Sequence, residues 1–339
     1  MRNWKVWVGI AISALCVWWA FRDVPGGPFL RALAVTNYWI AAPMSVAILG
    51  IVYLRAIRWR FLVGHLKPIP VFSLWLSALV GFGVNNLLPA RIGELARCYT
   101  LRRAEGVRFS SILATVVVER MWDGLSVVAL LLIAYTFWAF PGVDLALGVS
   151  HRAVLTTMAA STAVLLGGFL LLRYASDPLL RLADRFLARL PDGFARKAGG
   201  TLRTFVSGFQ GIRGPAQWLG VIAFSLLPWG LSVVVMWVLA YACGADLSVE
   251  QTVVLFMAIV AAVTIPASPG YIGTYHVLAK KALVWAGYAP DQALAVATMI
   301  HLANYVPQTL GGLWALKRQG LDMTAVKSIQ EPDVAEGGS

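Results

Sequence analysis

The chain has 339 residues, of which 59% are hydrophobic and only 13% charged, with a mean hydropathy of +0.73. Soluble domains average about 25% charged residues, so a large soluble domain is excluded and a polytopic membrane protein is expected. The net charge of +12 fits basic loops held against anionic lipid on the cytoplasmic side, and no nucleic-acid partner is expected.

A span needs roughly 20 apolar residues. In chain order, the candidates are residues 5–21, 37–54, 109–139, 153–172, 215–242 and 291–316. Two further apolar regions, 70–103 and 249–287, are interrupted by Pro, Gly and polar residues. The first run follows Arg2 and Lys5 and lacks a small-x-small cleavage site, so it reads as a retained signal anchor. Cys16, Cys98 and Cys243 have no metal-like or disulfide-framework spacing. No metal and no cofactor is expected.

Loop charges set the orientation. Segment 55–67 carries Arg55, Arg58, Arg60 and Lys67, and segment 97–108 carries Arg97, Arg102, Arg103 and Arg108. Both should be cytoplasmic, so 70–103 enters and returns to the same face, with its turn at Asn85 to Ala90. Segment 173–213 has eight Lys/Arg and is also cytoplasmic. Span 215–242 then leads outward to a loop with Asp246 and Glu250, and the last span ends inside at Lys317 and Arg318. Region 249–287 therefore begins and ends outside.

The expected fold is all-α: six full spans plus two re-entrant helical hairpins, in one transmembrane domain over 1–318. Repeat A (5–139) and repeat B (153–316) have opposite orientation, an arrangement shared by many transporters. The linker 173–213 contains amphipathic segments suited to the membrane surface, and 319–339 is a polar tail expected to be disordered. Both termini are expected on the cytoplasmic side.

The polar residues gather at four places. At the first tip, a half-helix from about Pro89 to Arg103 would point its N-terminal N–H groups into the membrane, with Arg91, Glu94 and Arg97 loosely on one face. These suit an anionic head group, or form a structural Arg–Glu pair. At the second tip, Ser268 could cap a half-helix beginning at Pro269, and Gly270 and Gly273 permit close backbone approach. His276 and Lys280 follow at i, i+4. Lys280 could attract an anion or snorkel to the outer interface, and His276 could titrate or be a satisfied core histidine. Glu119, Arg120 and Asp123 lie about ten residues into 109–139, and His301, Asn304 and Gln308 about ten into 291–316. Both stripes should face the bundle interior, as counter-charges, as a proton relay or as helix-packing contacts.

Pro89-Ala-Arg-Ile-Gly-Glu94 with Arg97, Glu119-Arg120 with Asp123, and Pro266-Ala-Ser-Pro-Gly-Tyr-Ile-Gly273, in that order, resemble the lysylphosphatidylglycerol synthase/flippase membrane-domain family over roughly 1–318. The resemblance implies an integral protein of a bacterial or archaeal cytoplasmic membrane that moves a phospholipid or a lipid-linked anionic head group between leaflets. Its partners would be membrane phospholipids or polyprenyl-linked lipids, and a homo-oligomer is compatible with it. Two departures stand out. His276 occupies the place where many members carry Glu, and the tail after Arg318 is too short for the family's soluble aminoacyl-transferase domain. The expectation is a transporter rather than an enzyme. The alternative is an intramembrane enzyme acting on a lipid-linked sugar or phosphate, using Glu119, Asp123, His276 and His301 as acid–base groups.

Overall fold

A computed structural model describes residues 36–88, 91–137, 151–209, 214–264 and 269–323, with a few isolated positions before them. The run 5–21, the tip residues Pro89, Ala90 and Ser268, and the tail from residue 324 lie outside the described residues, apart from Leu15 and Trp18. The described residues are helical and contain no strand. The helices are α1 (Ala41–Val63), α2 (Val71–Leu87), α3 (Gly93–Glu105), α4 (Phe109–Phe137), α5 (His151–Tyr174), α6 (Ser176–Leu187), α7 (Asp192–Phe209), α8 (Pro215–Ala242), α9 (Val249–Thr264), α10 (Thr274–Trp285) and α11 (Pro290–Arg318).

Two of them are long and apolar enough to cross a membrane: α1 with its preceding turn, Tyr38–Val63, and α8. A bent pair, Ala159–Leu172 with Ser176–Leu187, adds a third if counted as one span. Helices α4 and α11 have 29 residues each, about 43 Å at 1.5 Å per residue. They have the length to span but carry polar stripes in mid-helix, which lower their apolar content.

Helix α1 differs most from the expected span 37–54. It continues through Arg55 and Arg58 to Val63, so neither arginine belongs to a loop. The reason is visible in the burial: Ala56, Trp59, Leu62 and Val63 continue the apolar face, and Arg55 and Arg58 are buried with them. The end of the last span also differs. Leu321, inside the expected tail, is buried and its N–H donates to the Leu316 carbonyl.

Helices α2 and α3 fold back on each other, as do α9 and α10. The first turn sits later than the Asn85–Ala90 expected. Asn85 and Asn86 are still in α2, and α3 begins at Gly93 rather than Pro89. Asn85 Oδ1 accepts from the Gly93 N–H at 2.8 Å, which satisfies one orphan donor of the helix start. Gly93 is required there, because a Cβ would fall 1.9 Å from the Gly81 carbonyl oxygen. At the second turn, Pro269–Tyr271 form a short 3-10 turn and α10 starts only at Thr274. Pro269 therefore does not open the half-helix.

Helix α2 packs along α11, and α1 along α8. Helix α7 of the linker lies against α4, while Leu182 and Phe186 of α6 stay exposed.

Candidate functional site

Two clusters and a cavity between them make the site. The first is ionic. Glu119 and Asp123 on α4 meet Arg55 and Arg58 from α1, Glu94 and Arg97 from α3, and Arg120 of α4 itself. Arg58 lies 2.7 Å from Asp123 and 3.1 Å from Glu119. Arg97 lies 3.1 Å from Glu94 and 3.2 Å from Glu119. Arg120 lies 2.9 Å from Glu119, 3.2 Å from Asp123 and 3.7 Å from Glu94. Arg55 reaches Asp123 at 3.3 Å. Helix α8 joins through Ser225, which accepts from Arg58, and through Trp229, whose Nε1 donates to Asp123 at 3.3 Å. Two guanidiniums rest on indole rings, Arg55 at 4.6 Å over Trp229 and Arg97 at 4.8 Å over Trp59.

Four arginines thus share three carboxylates. Arg58, Arg97 and Glu119 are almost fully buried, whereas the Arg120 side chain is 39% exposed. Arg97 is therefore not part of an exposed cytoplasmic loop, because its guanidinium is inside and bound on two sides. Glu94 sits in the first turn of α3, so the positive end of that helix already has a carboxylate beside it.

The second cluster joins the tips. Arg91 adopts a left-handed backbone, φ 54°, and its side chain donates to the Val263 carbonyl near the end of α9. Its guanidinium stands 6.0 Å from the Tyr271 ring centre. Helix α11 holds both tips on one stripe. His301 Nε2 donates to the Gly270 carbonyl at 2.8 Å. One turn on, Tyr305 OH donates to the Asn86 carbonyl at 3.3 Å, and Asn86 Nδ2 donates to Thr309 at 3.0 Å. Gly270, at φ 66°, leaves no room for a side chain, since a Cβ would meet the Tyr305 ring at 2.5 Å. Tyr275 stacks on His301 at 4.3 Å, with the His276 ring 5.0 Å from His301. The Gly273 N–H points to His276 Nδ1 at 3.5 Å. Asn304 donates to the Ile300 carbonyl, and Lys280 is partly buried on α10.

Between the clusters lies a cavity of about 230 Å³, bounded by α1, α2, α8, α9, α11 and the second tip. Most of its lining is apolar. Its polar groups include Arg55 from the ionic cluster, Asn86 and His301 from the tip cluster, and Asn304 and Gln308 of α11. The structure thus brings Glu94, Arg97, Glu119, Arg120 and Asp123 into one network, and Arg91, Gly270, His276 and His301 into another. Arg55 and Arg58 were not among the expected site residues. Their signal was i, i+3 spacing beside Trp59 within a continuing apolar helix pattern.

The described residues are helical and include two helices long and apolar enough to cross a membrane, and the sequence says which kind of membrane protein this is. The profile described as Lysylphosphatidylglycerol synthase TM region matches residues 6–312, so the chain belongs to that family. It is 24% identical over 340 residues to "UPF0104 membrane protein PH1989" of Pyrococcus horikoshii, covering 93% of this chain and 96% of the relative. A second relative, a UPF0104 membrane protein of Methanothermobacter thermautotrophicus, is 25% identical over 326 residues, 88% of this chain and 89% of the relative. A third, "Glycosyltransferase AglD" of Haloferax volcanii, is 27% identical over 313 residues, 84% of this chain but 50% of the relative.

Proposed function

We propose that the protein is a lipid transporter, moving a phospholipid or a lipid-linked anionic head group between bilayer leaflets. The carrying observation is the meeting of the two hairpin tips, through Arg91 and Val263, beside a cavity that is apolar but has Arg55 at one end. Non-helical backbone at membrane depth is tolerated only when packed in protein or lining a wet cavity. In this reading the core has six spans, with α2–α3 and α9–α10 re-entering from opposite faces and both termini cytoplasmic. The packing supports two related halves. The contact of α1 with α11 has its counterpart in α8 with α4, and that of α1 with α2 in α8 with α9. Among the described residues the match is broken where α2 packs along α11 but α9 makes no comparable contact with α4.

The test is leaflet exchange of a fluorescent phospholipid in liposomes containing the purified protein, read by quenching from outside. Exchange should exceed that of protein-free liposomes and fall with Arg91→Ala while the helical spectrum is retained. No exchange with any anionic lipid would defeat the proposal.

The name of the Haloferax volcanii relative favours a second reading, an intramembrane enzyme working on a lipid-linked sugar or phosphate. Against it, Glu119 and Asp123 are each bound by three arginines, which ties up both carboxylates as acid–base groups. Chemical conversion of a labelled polyprenyl-linked sugar by the purified protein would favour the enzyme.

A further inference from the structure

The ionic cluster does not balance. Arg55, Arg58, Arg97 and Arg120 face Glu94, Glu119 and Asp123, which leaves one positive charge in excess. Solvent screens the partly exposed Arg120, but Arg55 and Arg58 are buried, and excess charge there is costly unless an anion completes it. Of the four arginines, only Arg55 lines the cavity. It is also the arginine bound least closely to Asp123. Its hydrogen bonds all leave from Nη1, at 3.3 and 3.4 Å, against 2.7 Å for Arg58. Asp123 keeps Arg58, Arg120 and the Trp229 N–H if Arg55 turns away. The Trp229 ring beneath the guanidinium holds Arg55 at the cavity wall without help from Asp123.

We infer that Arg55 is a phosphate-binding residue and that the cavity takes a lipid phosphodiester. The phosphate replaces Asp123 on the guanidinium, and the single negative charge of the diester cancels the excess. A guanidinium suits this exchange, because its planar fork binds phosphate oxygens in pairs. The lining explains why the phosphate should arrive on a lipid. Ile48, Val52, Phe82, Val235, Phe256 and Ile259 offer hydrocarbon, which a free phosphate would leave unused and a glycerolipid would cover. This assignment rests on the lipid-transport reading for its choice of ligand.

The test uses the full chain in neutral detergent, titrated with short-chain phosphatidylglycerol, the matching diacylglycerol or glycerol phosphate, with thermal unfolding giving an apparent affinity. Phosphatidylglycerol should raise the midpoint saturably, with diacylglycerol and glycerol phosphate each binding at least about tenfold more weakly. R55Q should weaken phosphatidylglycerol binding by about tenfold or more, the loss of a charge-assisted contact. R55K keeps the charge but loses the fork, and serves if R55Q does not fold; it should weaken binding in the same direction. D123N should tighten binding, because the competing carboxylate is gone, an outcome a purely structural ion pair would not produce. Unchanged affinity in both arginine variants, equal binding of diacylglycerol, or weakening in D123N overturns the assignment. Glycerol phosphate binding as tightly as the lipid would overturn the lipid as its source. Binding through Arg55 without leaflet exchange would instead sink the transport reading and leave the site standing.

Discussion

At the scale of single residues, burial decides which charges matter. Glu119 is 1% exposed and pairs with Arg58, Arg97 and Arg120. Removing one partner of a buried pair strands the other, at a cost of about 3–5 kcal/mol. Glu119→Gln should therefore lower stability by that order, seen in denaturant or thermal unfolding of the helical signal. Arg120 also touches three carboxylates, but with its side chain 39% exposed solvent screens the pairs, and Arg120→Ala should cost no more than about 1 kcal/mol. If the two variants were equally destabilised, burial would not be what sets the value of these pairs. Glu119 and Asp123 were legible in the chain as an i, i+4 pair inside an apolar run. Arg55 and Arg58 were not, because counting apolar residues stops at the first arginine, and their carboxylate partners lie 61 to 68 residues away.

At the scale of elements, the close crossing of α2 and α11 is built on glycine. A Cβ on Gly83 would fall 2.9 Å from the Gly312 Cα, and one on Gly312 would fall 2.7 Å from the Gly83 Cα and 2.8 Å from the Leu79 carbonyl oxygen. These neighbours are backbone and cannot turn aside. Gly83→Ala or Gly312→Ala should push the helices apart and destabilise by about 1–3 kcal/mol, as overpacking does. Gly50→Ala, where a Cβ meets nothing within 4 Å, should be neutral or slightly stabilising. The same crossing sets Asn86 against Tyr305 and Thr309, so the variants that separate the helices should also reduce leaflet exchange. The turn positions were only partly legible. Pro89 and Pro269 looked like helix starts, but the breaks are set by left-handed Arg91 and Gly270 and by the Asn85 contact to Gly93.

At the scale of the whole molecule, the proposal makes a claim about sides. In a chain stripped of its native cysteines, Ala104→Cys, exposed at the end of α3, should label only from the cytoplasmic side. Asp246→Cys, exposed between α8 and α9, should label only from outside. Labelling of position 104 from outside would mean that the first hairpin crosses fully, and the inverted repeat would fall with it.

The amino-acid sequence by itself determined that this is a helical membrane protein, that α8 runs over 215–242, and that two apolar regions are broken at Pro and Gly. Those properties depend on composition and on neighbours close in the chain. Only the tertiary structure decided that Arg55 and Arg58 are inside, that Arg97 is buried and paired rather than part of a basic loop, and that Arg91 joins one tip to the other. The physical reason is that a charge near the end of an apolar run is compatible with loop or core. What settles it is a counter-charge from another helix, and a one-dimensional pattern contains no record of which distant carboxylate will arrive beside it.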